Sequence, residues 1–165
     1  MNVRHLMFAI AMLAGALMFA PSPAKAACAP LSLCTCTVTA TGVSFGNYNV
    51  VNAAPTDSTG SIRVQCTLIV ALAGSFTVDL STGSSGTYAQ RTLRNGPSVL
   101  DYNLYTDVAR TQIWGNGSGG SSRITRNFTA LLSVDQTMTV YGRIRAGQNV
   151  PAGGYSDTII VTVTY

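Results

Sequence analysis

Past residue 26 the sequence has no histidine, lysine or glutamate; the single histidine is His5 and the only lysine is Lys25. Without these side chains the usual general acids and bases are missing, and the many serines have no base to activate them. An enzyme is therefore not expected, and neither is a cofactor. With no histidine and no C-x-x-C spacing, zinc-type metal binding is not expected. Basic clustering is also absent. The eight arginines beyond the N-terminus (63, 91, 94, 110, 123, 126, 143 and 145) are scattered, and they face six aspartates for a net of +2. No stripe suits a phosphate backbone, so nucleic acid is not an expected partner. Trp114 is the only tryptophan, which leaves little material for a sugar-stacking face. Helix formers are scarce, and no run after the N-terminus approaches the roughly 20 apolar residues of a spanning helix.

The N-terminus is of another kind. Arg4 and His5 give a positive start, Leu6 to Ala20 run apolar without a charge, and Pro21-Ser22-Pro23 breaks the run. Ala24-Lys25-Ala26 supplies the small-x-small pattern of a signal peptidase site. The expectation is a cleaved signal over residues 1–26, with cleavage between Ala26 and Ala27. The remaining 139 residues suit a single domain with its own core.

What remains is rich in Thr, Ser, Gly, Asn, Val and Tyr, which is strand and turn material. Period-two segments follow one another. Thr37 to Phe45 alternates around Val38, Val43 and Phe45. Ser61 to Val70 places Ile62, Val64, Cys66, Leu68 and Val70 on one face. Phe76, Val78 and Leu80 share a face, as do Leu100, Tyr102 and Leu104, and Met138, Val140, Gly142 and Ile144. Tyr155 to Tyr165 alternates to the end. Between these runs sit turn clusters such as Thr82 to Gly86, Asn95-Gly96-Pro97, Gly115 to Ser122 and Pro151 to Gly154. About seven short strands so punctuated predict an antiparallel, immunoglobulin-like sandwich. Asp57, Asp107 and Asp135 read as turn and cap residues. The Gly117-to-Gly120 stretch lacks a Gly-Lys-Ser/Thr ending and reads as a hairpin loop rather than a phosphate cradle.

Four cysteines in an exported chain predict disulfides, with three pairings open. Cys36 with Cys66 is the favoured bridge, stapling neighbouring strands across the sandwich, and Cys28 with Cys34 the second. Cys34 with Cys66 is the competing pairing. Two hydrophobic features stand apart. If the run ending at Tyr165 is the sixth strand of such a sandwich, its seventh neighbour must come from another chain, because an open apolar edge aggregates. The run Leu68, Ile69, Val70 and Leu72 reads as a buried strand end or, more sharply, as an apolar hairpin tip that contacts surfaces.

Several segments in order resemble one family. They are Cys36-Thr-Val-Thr-Ala-Thr-Gly-Val-Ser-Phe-Gly-Asn-Tyr48, Gly60 to Cys66, Tyr102-Asn-Leu-Tyr-Thr-Asp-Val-Ala-Arg110 with Trp114-Gly115, and Tyr141-Gly-Arg-Ile144 through Gly154 to Tyr165. Together they resemble the spore coat protein U domain, the fold of archaic chaperone–usher pilus subunits. The resemblance implies an incomplete, disulfide-bonded immunoglobulin-like sandwich over residues 36–165, whose missing strand is lent by a periplasmic chaperone. It implies an outer-membrane usher and other pilin subunits as further partners, and a cell-surface fibre serving adhesion and biofilm formation. Ile159, Val161, Val163 and Tyr165 would line the acceptor groove. A polymerising subunit of this kind also donates a strand of ten or more alternating residues. Here residues 27–35 offer only Ala29, Leu31 and Leu33, interrupted by Pro30 and the expected Cys28–Cys34 bridge. That departure points to a tip or minor subunit, or to a free secreted coat protein.

Overall fold

Alternating β-branched and small polar residues give each segment one apolar face, and such faces must be buried against each other. The computed structural model describes residues 24–27, 34–68, 72–130 and 132–165. Nine strands form among them: β1 (Ala24–Ala27), β2 (Cys34–Thr41), β3 (Thr56–Leu68), β4 (Leu72–Leu80), β5 (Arg91–Asn95), β6 (Ser98–Tyr105), β7 (Ile124–Ala130), β8 (Ser133–Ile144) and β9 (Val161–Thr164). They build two antiparallel sheets, one of six strands in the order β1-β2-β3-β8-β6-β5 and one of three in the order β7-β4-β9.

The core lies between the sheets. The large sheet contributes Ile62, Val64, Leu100, Leu104, Met138, Val140 and Ile144, and the small sheet contributes Phe76, Val78 and Leu80. Each such side chain contributes about 1.5–3 kcal/mol by leaving water. Trp114, from the β6–β7 connection, is fully buried, and its Nε1 donates to the Val78 carbonyl at 2.9 Å. It is a core residue that ties the connection to the small sheet.

The topology is that of an immunoglobulin-like sandwich. In a seven-stranded domain of that kind, strands A, B, E and D form one sheet and C, F and G the other. Here β2, β3, β8 and β6 occupy the A, B, E and D places, and β4 and β9 occupy C and F. Among the described residues no strand takes position G, beside β9.

Three expectations need correction. The favoured disulfide is present, but it joins adjacent strands of one sheet rather than crossing the sandwich. Cys36 and Cys66 are direct partners in the β2–β3 register, with Cα atoms 4.0 Å apart. Asp57 and Asp135 are not turn residues. Each lies on a strand and pairs across it, Asp57 with Arg143 and Arg110, Asp135 with Arg63. The alternation from Thr37 to Phe45 is a strand only as far as Thr41. Beyond it the chain lies against the inner face of the large sheet, where a Cβ added to Gly142 would meet Val43 at 2.7 Å and Phe45 at 2.8 Å. Asp107 does cap its turn, accepting from the backbone N–H groups of Thr111 (3.0 Å) and Gln112 (2.9 Å).

Candidate functional site

The terminal run is built to change sheets. Ser156 and Arg94 of β5 exchange backbone hydrogen bonds of 2.8 and 3.0 Å, so this end belongs beside the large sheet. Four residues later the Ile160 carbonyl accepts from Ser81 N–H at 2.9 Å, and β9 then pairs with β4. The expected strand over Tyr155–Tyr165 is therefore regular only at Val161–Thr164, because the preceding residues bridge the gap between layers.

The consequence is an unfinished edge. Among the described residues β9 has β4 on one side and no strand on the other. The alternation is nevertheless kept: Ile159, Val161, Val163 and Tyr165 pack inward against the core, while Ile160, Thr162 and Thr164 face outward. All four inward residues are only half-buried. A sandwich strand with both neighbours present normally buries such side chains, as Val78 and Leu80 on β4 show. Tyr165 stacks near Phe76 at 6.2 Å between ring centroids, and its buried hydroxyl has no hydrogen-bond partner among the described residues.

Opposite this wall stands another. Val43, Phe45 and Tyr48 are also half-buried against the core, with Phe45 edge-on to Tyr102 at 5.9 Å. Tyr48 is held by its hydroxyl, which donates to the Arg145 carbonyl (3.0 Å) and accepts from Gln148 N–H (2.9 Å). Between the walls run two open cavities. One, of about 960 Å³, lies between Val43–Val50 and Val150–Asp157, over Leu93, Leu100 and Ile144. The other, of about 200 Å³, reaches Ala40, Ile62, Leu80, Ile159 and Val161. Together they make a partly apolar groove beside β9, a setting for accepting an added strand.

A family model described as the Spore Coat Protein U domain matches residues 24–162. The chain belongs to the Spore Coat Protein U domain family. "Protein U" of Myxococcus xanthus is 37% identical over 132 residues, covering 74% of this chain and 71% of that protein. A solved complex, the chaperone–tip adhesion subunit pre-assembly complex (CsuC–CsuE) of archaic chaperone–usher Csu pili from Acinetobacter baumannii, aligns with a TM-score of 0.49 and 21% identity. That alignment covers 81% of this chain and 40% of the solved one, so the chain spans less than half of that neighbour's length.

Other predicted site residues of this Spore Coat Protein U domain fall in several places. Ala26 and Ala27 lie in β1, paired with Cys36 and Thr35 of β2, so the expected cleavage bond falls inside a paired strand. Cys28, Ala29, Leu31 and Leu33 lie outside the described residues, and Cys34 opens β2 opposite Leu68. Leu68 is 3% exposed and belongs to the core, so it is not part of a surface tip. Ile69 and Val70 lie outside the described residues, and Leu72 begins β4 in register with Ala130. Among the described residues no group of three His, Cys, Asp or Glu side chains is gathered for a metal, and no helix is long and apolar enough to cross a membrane.

Sequence reasoning missed a buried polar cluster next to the groove. Arg91 is fully buried; it donates to the Ser81 carbonyl (3.0 and 2.7 Å), the Trp114 carbonyl (2.7 Å) and Asn103 Oδ1 (2.7 Å). Burial lowers its pKa from the ordinary arginine value. Beside it, the Tyr102 hydroxyl donates to Asp157 Oδ2 at 2.8 Å, and burial with this bond pushes the phenol well above its usual range. The signal for Asp157 was available: it is the one charged residue in the inward register of the terminal run.

Proposed function

We propose that this chain is a structural, non-enzymatic subunit of a surface pilus assembled by a chaperone–usher pathway, and that it completes its fold by accepting a strand from another polypeptide. The observation that carries the reading is the open side of β9 over a partly apolar groove, with Ile159, Val161, Val163 and Tyr165 half-buried beside it. In this reading a periplasmic chaperone first fills the groove, an outer-membrane usher exchanges that strand for one from another pilin subunit, and the fibre serves adhesion and biofilm formation. The N-terminal signal would bring the chain to the periplasm and the assembly would carry it to the cell surface. The Leu68–Leu72 segment enters this proposal only through Ile69, Val70 and Leu72, as residues that would contact surfaces.

A second reading, a secreted coat protein without ordered fibres, is favoured by the shortness of residues 27–35 as a donor segment and by the likeness to Protein U. One experiment separates them. The full chain is expressed in a bacterial periplasm with and without an archaic-type pilus chaperone. The pilus reading expects degradation or aggregation alone and a one-to-one complex with the chaperone. A soluble, folded monomer that needs no partner would overturn it in favour of the coat protein.

A further inference from the structure

Among the described residues the groove carries a charge at one point. Of the side chains lining its two cavities, Asp157 alone carries a charge, and it borders both. It stands in the inward register of the terminal run, two residues after Tyr155 and two before Ile159. The other aspartates are accounted for by their own surroundings. Asp57, Asp79, Asp101 and Asp135 are in ion pairs with arginines, and Asp107 holds its turn. Among the described residues Asp157 has no ion pair. The buried cation Arg91 interacts with it only through space, because its hydrogen bonds go to two carbonyls and Asn103.

Asp157 is partly satisfied. Oδ1 accepts from the backbone N–H groups of Ser84 and Thr158, both at 2.9 Å, and Oδ2 accepts only from the Tyr102 hydroxyl, at 2.8 Å. A carboxylate has about four acceptor sites, so one is left on Oδ2, which packs against Gly83 while Asp157 borders the groove. While the groove is open, solvent can serve that site. A strand laid into it removes the solvent and leaves an anion in an apolar slot, which is costly without a counter-charge.

We propose that Asp157 selects and registers the incoming strand, by requiring an arginine or lysine among its otherwise apolar inward side chains. This rests on the strand-accepting reading above. It also commits to the source. With the expected cleavage after Ala26, the chain's own segment Ala27–Thr35 contains neither arginine nor lysine, so on this proposal the strand comes from a different polypeptide, not a second copy.

The test refolds the full chain with fluorescent 12-residue peptides and reads binding by anisotropy. The parent alternates Ile and Val with Ser and Thr, and arginine is moved through its inward positions one at a time. One position should tighten binding about tenfold, the scale of a hydrogen bond to a charged group, and glutamate there should weaken it. Asp157→Asn should bring the preference for arginine below about twofold, and Tyr102→Phe, which removes a competing donor, should enlarge it. Circular dichroism checks that both variants fold; should Asp157→Asn fail to fold, the Tyr102→Phe ratio decides. A parent peptide that binds while no arginine position gains would overturn the selection, as would a gain that survives Asp157→Asn. Tighter binding by a peptide of residues 27–35 than by the arginine peptide would overturn the choice of a different polypeptide. If no peptide binds, the groove reading itself fails and the selection with it.

Discussion

Arg91 is a cation held without a carboxylate, by three oxygens of the protein's own framework. Its planar fork reaches Ser81, at the end of β4, and Trp114, so it clamps β5 to the small sheet and to the β6–β7 connection. Arg91→Ala would leave those oxygens buried and unpaired, at about 1–3 kcal/mol for each group. The expected loss is about 3–5 kcal/mol in urea unfolding, and Arg91→Lys should recover less than half, because an ammonium cannot reproduce the fork. Nothing in the sequence marked this arginine, since all eight are scattered singly or in close pairs with no common pattern and its burial is decided by distant segments. Titration adds a second expectation. Asp57, Asp107 and Asp135 are held below the usual carboxylate range, by hydrogen bonding from Arg143, from the Gln112 backbone and from Arg63 respectively. Their folded pKa values lie below the unfolded ones, so their contribution is complete above pH of about 4 and declines as pH falls further. Tyr102 and Tyr165 are raised, chiefly by burial. Their contribution is complete below the unfolded phenol value of about 10 and is lost as pH rises beyond it. Urea midpoints should therefore fall at both pH 3 and pH 11, and Tyr102→Phe should flatten the alkaline limb only.

At the scale of elements, the faces of the strands were the readable part. Leu100, Tyr102 and Leu104 are all buried, as are Phe76, Val78 and Leu80, because a strand's side chains alternate whatever it pairs with. Where pairing depends on remote residues the pattern misled. Val43 and Phe45 kept the alternation of β2 but left the strand, since Gly60 and Gly142 open space on the large sheet for them. The terminal run kept its alternation while its hydrogen bonds moved from one sheet to the other. The groove's far wall was thus legible in Ile159, Val161, Val163 and Tyr165, whereas its near wall was not. The β2–β3 bridge is the covalent element beside that near wall. It closes a loop of 30 residues, which should stabilise the fold by about 3–4 kcal/mol. Replacing Cys36 and Cys66 together by alanine should lower the unfolding free energy by that amount. β2, which has only the short β1 on its outer side, should lose amide protection before β3 and β8 do.

For the whole molecule the decisive quantity is how much an added strand contributes when its alternation matches the groove. Consider two versions of the full chain carrying, after Tyr165, a flexible turn and nine further residues. One places apolar side chains at alternate positions, with an arginine opposite Asp157; the other has the same composition in shuffled order. The entropy of ordering the tether is common to both, so their difference isolates the fit. Shuffling turns about half of the apolar side chains to solvent, forfeiting about 3–6 kcal/mol of burial if two are lost. A domain of this size gains several degrees per kcal/mol, and the alternating tether should raise the unfolding midpoint by roughly 10 °C over the shuffled one. The β9 amides of Val161 and Val163, which point away from β4 in this register, should gain exchange protection in the alternating version alone. Equal midpoints and equal β9 exchange would mean that the slot beside β9 does not take a strand. The fold would then be complete with one edge in water, and the surface to examine next would be the charged outer face of the six-stranded sheet.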